Sequence, residues 1–75
     1  MDRNIDEILK KFGENIQLYR IKCGMSIEEL SSETGIKTRY LTKIERGNAK
    51  RLAAKHILVF AKTFKIELYK LFAGL

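Results

Sequence analysis

Residues 36–48 read IKTRYLTKIERGN, a run with four cations, Lys37, Arg39, Lys43 and Arg46, two threonines and a single acid, Glu45, directly beside Arg46. On a wheel of about 100° per residue, Tyr40, Leu41 and Ile44 share one arc. Thr38, Arg39, Thr42, Lys43 and Arg46 fill the opposite arc. The spacing predicts a helix over 38–46 with an apolar face toward a core and a basic face toward solvent. Glu45 lies at the border, closer to Leu41 than to Lys43, where its carboxylate can turn inward. A partly buried carboxylate needs a partner. One alternative is a surface acid that only tunes the charge of the stretch.

Upstream, SIEELSSETG at 26–35 has the Ser26/Glu29 spacing of a capping box, an inward Ile27 and Leu30, and Gly35 to close the helix. Ser31 is small enough to let another helix approach, or is simply exposed. Only Ile36 and Lys37 then separate this helix from the one starting at Thr38, a tight helix-to-helix turn. Further back, Ile5, Leu9, Phe12, Ile16, Tyr19 and Cys23 step by four and three, which predicts a long helix with one buried face. Asn4 and Glu7 suit its start and Gly24 its end. Gly13 marks a weak point, so residues 2–11 read as an extension or a separate helix. Arg20, one position beyond Tyr19, is the cation best placed to grip Glu45 through a two-bond fork.

Downstream, a fourth helix is expected over about 52–64, with Ala54, Ile57, Phe60, Ala61 and Phe64 inward, and a short fifth over 67–73. That last segment carries Leu68, Tyr69, Leu71 and Phe72, followed by Leu75. It has more large apolar groups than one short helix can bury, so some are expected to face a second subunit. No strand pattern, repeat or low-complexity segment competes with an all-α reading.

The chain's 75 residues, 45% hydrophobic and without proline, suffice for one small domain. No apolar run approaches the roughly 20 residues of a membrane span, and MDRNIDEILKK is too charged for a secretory signal, so a cytoplasmic protein is expected. One cysteine, Cys23, and one histidine, His56, build neither a disulfide framework nor a zinc site. Cys23 is read as a small hydrophobe and His56 as a surface or boundary residue. No nucleophile with a histidine base, paired carboxylates or Gly-rich phosphate loop is present, so no catalytic site, metal, cofactor or small-molecule ligand is expected. The net charge of +6 is unevenly distributed. Residues 1–36 hold five Lys/Arg and seven Asp/Glu, net −2, whereas residues 37–75 hold ten and two, net +8. Such a basic half attracts polyanions, with a merely solvated face as the alternative.

Taken together, GMSIEELSSETGIKTRYLTKIERGN resembles the helix-turn-helix of the Xre/Cro family of lambda-repressor-like DNA-binding domains. The resemblance covers about residues 12–73, including Arg20, G-M-S at 24–26, E-E-L at 28–30, G-I at 35–36, Y-L at 40–41, I-E-R-G at 44–47, F-A at 60–61 and L-F at 71–72. It implies a compact five-helix bundle, placed at 12–75, with the helical extension read from Gly13 at 1–11 before it. The third helix would enter the DNA major groove, as a symmetric dimer. It also implies an inter-helix ion pair between Arg20 and Glu45, in agreement with the residue-level reading. Ile27 stands where many relatives have glutamine, Ser31 where alanine is common, and the loop after Gly47 lacks a frequent proline. These departures weaken the transfer of backbone contacts around Ile27 and 48–51.

Lys37, Thr38, Arg39 and Thr42, near the start of the third helix, are the candidate base readers. A guanidinium such as that of Arg39 donates twice to guanine N7 and O6, which discriminates by about 1–3 kcal/mol, and threonine offers a hydroxyl and a methyl. A phosphate contact is the alternative for Arg39. Tyr40, Lys43, Arg46, Asn48, Lys50 and Arg51 are the candidate phosphate contacts. Tyr40 also reads as core with a wet tip, and Lys50 and Arg51 as solvated. Leu68, Tyr69, Phe72 and Leu75 are the candidate dimer surface. The expected function is transcriptional regulation, as by a small repressor, from an inverted-repeat operator in double-stranded DNA. With no room for a sensing domain, control would come from concentration, dimerisation or a protein partner. The competing expectation is a protein-interaction module of the same fold, and RNA binding is disfavoured because the aromatics are assigned to the core.

Overall fold

The computed structural model describes residues 4–75, and among them every regular element is helical. Four α-helices, α1 (Ile5–Lys22), α2 (Ile27–Thr34), α3 (Thr38–Glu45) and α4 (Ala54–Phe64), are followed by a 3-10 helix at Leu68–Phe72. The fifth element of the sequence reading is thus a tighter, five-residue turn. Residues 1–3, where the expected extension begins, lie outside the described residues.

Local chemistry sets the helix ends. Asn4 and Glu7 form a reciprocal capping box at the start of α1, and Ser26 and Glu29 do the same for α2. Gly35 closes α2 in the left-handed region at φ +77°. The fourth helix begins at Ala54 rather than near Leu52, and no side chain caps it.

Phe12, Ile16, Leu30, Leu41, Ile44, Phe60 and Leu71 are fully buried, at 2% exposure or less. They join all four α-helices and the 3-10 turn into one core. A continuous series of ring contacts crosses it, from Phe72 to Phe12 (5.3 Å between centroids), Phe60 (6.4 Å), Phe64 (6.0 Å) and Tyr19 (6.0 Å). The expected apolar stripe of α1 holds in its middle only, since Ile5 and Cys23 are exposed. Ala54 is also exposed rather than inward.

Gly13 does not interrupt α1. A Cβ there would collide with the backbone carbonyl oxygens of Ile44 and Glu45, so the missing side chain lets α1 and the end of α3 meet backbone to backbone. Nearby, the buried Asn15 donates from its amide nitrogen to the carbonyls of Leu71 and Ala73, both at 2.9 Å. Those two bonds occupy both N–H groups of the amide and fasten the C-terminal turn to α1. Sequence reading did not single out Asn15. Its available signal was a polar residue between Phe12 and Ile16 on the inward arc, with carbonyls of a non-α-helical turn to serve.

Candidate nucleic-acid interface

The turn that launches α3 is held from both sides. Thr34 donates its hydroxyl to the Leu30 carbonyl at 2.8 Å and accepts the Ile36 N–H at 3.2 Å, while the Ile36 side chain is buried. Lys37 follows in extended backbone as the N-cap residue and supplies no side-chain cap. Thr38 and Arg39 therefore open α3 on its exposed side.

The other end of α3 stops in a Schellman arrangement. The Gly47 N–H bonds the Ile44 carbonyl at 3.0 Å and the Asn48 N–H bonds the Lys43 carbonyl at 2.8 Å, with Gly47 at φ +78°. Glu45, in the last turn, accepts from Arg20 Nε at 2.7 Å and from Nη2 at 3.1 Å. Arg20 Nη1 donates to the Met25 carbonyl at 2.9 Å, so one guanidinium joins α1, the loop before α2 and α3. The side chains of Arg20 and Glu45 are 15% and 7% exposed. Hydrogen bonding to Glu45 holds the Arg20 guanidinium above its ordinary pKa, outweighing the opposing effect of burial, and the charges of Glu45 and Glu28 add to it. The lone acid of the opening stretch is thus an inter-helix clamp.

The basic face of α3 has the opposite character. Lys37, Thr38, Arg39, Lys43, Arg46, Asn48 and Arg51 are exposed and Thr42 is half-buried. Among the described residues, no ion pair engages Lys37, Arg39, Lys43, Arg46 or Arg51. Thr42 is bound more locally than expected, its hydroxyl donating to the Thr38 carbonyl at 2.9 Å. The Tyr40 hydroxyl donates to the Arg51 carbonyl and its ring meets His56 edge-on at 5.8 Å, which ties α3 to the start of α4. A phosphate contact by Tyr40 would have to replace that bond. Lys50 is paired, its ammonium 2.7 Å from Asp6 Oδ1 near the start of α1.

In the C-terminal segment, Leu68, Tyr69, Phe72 and Leu75 are 42%, 71%, 38% and 41% exposed, whereas Leu71 is wholly buried. Sequence reading did not find the exposed Leu18, Ile21 and Leu58, which lie on the uncovered sides of α1 and α4.

The Helix-turn-helix family model matches residues 16–71. This chain belongs to the helix-turn-helix family, in its Xre-like form. Over 60 residues it is 38% identical to the HTH-type transcriptional regulator SlrR of Bacillus subtilis (strain 168), an overlap of 80% of this chain. It spans 40% of the length of SlrR. In three dimensions it matches the restriction-modification controller protein C.AhdI from Aeromonas hydrophila with a TM-score of 0.79 and 33% identity, covering 85% of this chain and 96% of that one. Of these two relatives, one is a transcriptional regulator and the other a restriction-modification controller protein. No helix among the described residues is long and apolar enough to cross a membrane.

Proposed function

We propose that this chain is a cytoplasmic, sequence-specific DNA-binding regulator of transcription that acts as a homodimer on an inverted-repeat operator. The observation that carries this reading is the division of α3. Its inner face is fixed by Leu41, Ile44 and the Arg20–Glu45 fork, while its basic face leaves Lys37, Arg39, Lys43 and Arg46 outside any ion pair among the described residues. Similarity to a transcriptional regulator and to a restriction-modification controller supports it. Lys37, Thr38, Arg39 and Thr42, in the first turns of α3, read base edges, and Lys43, Arg46, Asn48 and Arg51 hold phosphates, joined by Tyr40 and Lys50 once these release the Arg51 carbonyl and Asp6. Leu68, Tyr69, Phe72 and Leu75 supply the contact between subunits.

Selection of bound duplexes from a random pool tests the proposal. An enriched inverted repeat is expected, with half-site centres roughly 34 Å apart. Arg39→Ala then costs about 1–3 kcal/mol at one base pair and relaxes preference there. An equal loss on every sequence would move Arg39 to the phosphate group. Absence of enrichment, with binding that collapses as salt rises, would leave nonspecific electrostatics and favour a protein-interaction module built on the exposed C-terminal apolar residues.

A further inference from the structure

The family match begins at residue 16, yet the earlier turns of α1 reach the loop that follows α3. Gly47 lies so close to α1 that a Cβ there would sit 2.6 Å from Lys10 Cα. Three residues further on, Lys50 Nζ meets Asp6 Oδ1 at 2.7 Å across 44 residues of sequence. Asp6 belongs to the first turn of α1, whose backbone the Asn4–Glu7 capping box anchors. Of the loop and helix-end cations Arg46, Lys50 and Arg51, Lys50 alone has a carboxylate partner among the described residues. A carboxylate at hydrogen-bond distance from a lysine occupies the position a phosphate oxygen would take.

We infer that Asp6 is an intramolecular competitor for the DNA backbone: it holds Lys50 in the free protein and must be displaced before Lys50 contacts a phosphate. This rests on the DNA-binding reading above. Phosphate contacts carry no sequence information, so the competition lowers affinity for every duplex by the same factor and leaves the preference between duplexes unchanged. The leading turns of α1 thereby trim the strength of binding without touching the selectivity that α3 supplies. Both side chains of the pair are 67% exposed, so the competition is weak and sensitive to salt.

The test compares Asp6→Asn, Lys50→Gln and the double substitution, with Glu14→Gln as a control that makes the same change in net charge elsewhere on α1. Affinities for the selected operator and a scrambled duplex are measured at several salt concentrations. Asp6→Asn is expected to tighten both by a similar factor of about two to five at low salt. It should also steepen the salt dependence by up to about 0.9 in log–log slope. In the Lys50→Gln background the gain disappears, and Glu14→Gln reproduces little of it. An equal gain from Glu14→Gln, a gain that survives loss of Lys50, a gain confined to the operator, or no gain at all would overturn the inference while leaving the DNA-binding reading intact. If the unaltered protein binds neither duplex, both readings fall. Thermal unfolding of each variant accompanies the titrations; a weaker binder with an unchanged melting temperature would mean that Asp6 positions Lys50 for DNA rather than withholding it, which also overturns the inference.

Discussion

Two faces of α3, eight residues long, divide the work between them. On one, Leu41 and Ile44 are almost wholly buried and Glu45 is gripped by a fork of two hydrogen bonds. On the other, Arg39 and Lys43 stand exposed and unpaired among the described residues. The inner face consumes its interactions in fixing where the helix lies, and the outer face holds its interactions in reserve. Substitutions on the two faces should therefore separate cleanly, with stability lost on one and ligand affinity lost on the other.

The largest expected effect tests the inner face. Glu45→Ala leaves the Arg20 guanidinium with one carbonyl partner and a mostly buried charge, and should cost about 3 kcal/mol of unfolding free energy in a denaturant titration. A loss of DNA affinity with no loss of stability would contradict the division. The pair's effect on pH dependence has a definite sign. Because the folded protein raises the Arg20 pKa, the associated stability is fully present below the unfolded value and is lost only as pH climbs through the folded one, beyond the neutral range. Unfolding measured between mildly acidic and neutral pH should show no pH dependence attributable to Arg20.

Gly13→Ala is the next largest. The added methyl meets backbone oxygens of Ile44 and Glu45, which cannot swing aside as a flexible side chain can. Helix propensity favours alanine by at most about 1 kcal/mol, and forced overpacking costs about 1–3 kcal/mol or more. A net loss of roughly 2 kcal/mol is expected. If the variant is instead stabilised, α1 and α3 do not approach as closely as described, and the clamp at Glu45 is the main tie between them.

How much of this was legible in the sequence follows from how local each cause is. Asn4/Glu7 and Ser26/Glu29 act within four residues, and both capping boxes form as the spacing predicts. The wheel of α3 places Leu41 and Ile44 inside correctly, and the border position of Glu45 together with the register of Arg20 identifies the ion pair. Long-range backbone relations escape such reading. Gly13 looks like a weak point in a helix until the carbonyls of α3 lie against it, and Asn15 looks like one more polar residue until the C-terminal turn presents two carbonyls. Lys50 is a solvated or phosphate-binding cation by composition, and only the fold brings Asp6 to it. The exposed Cys23 and Ala54 err for the complementary reason, since periodicity defines a face without saying how far along it the neighbouring helices extend.

The smallest expected effect sharpens the outer face. Thr42 stands among the candidate base readers, yet its hydroxyl hydrogen already goes to the Thr38 carbonyl one turn back. That leaves two ways to touch a base: the oxygen as an acceptor, or the methyl against a thymine methyl. Thr42→Val keeps the branched shape and a methyl and removes the hydroxyl. It should also relieve a bond that competes with the helix backbone, so stability should move by no more than about 0.5 kcal/mol. If the methyl is what reads DNA, operator affinity should change by less than about threefold, whereas Thr42→Ser, which keeps the hydroxyl and deletes the methyl, should relax preference for thymine at one position. A loss of tenfold or more with Thr42→Val, confined to one base pair, would show that the hydroxyl oxygen accepts from a base amino group. The outer face of α3 would then include a group that takes part in the helix's own bonding and in recognition at once, and the separation between the two faces would fail at Thr42 while holding at Arg39.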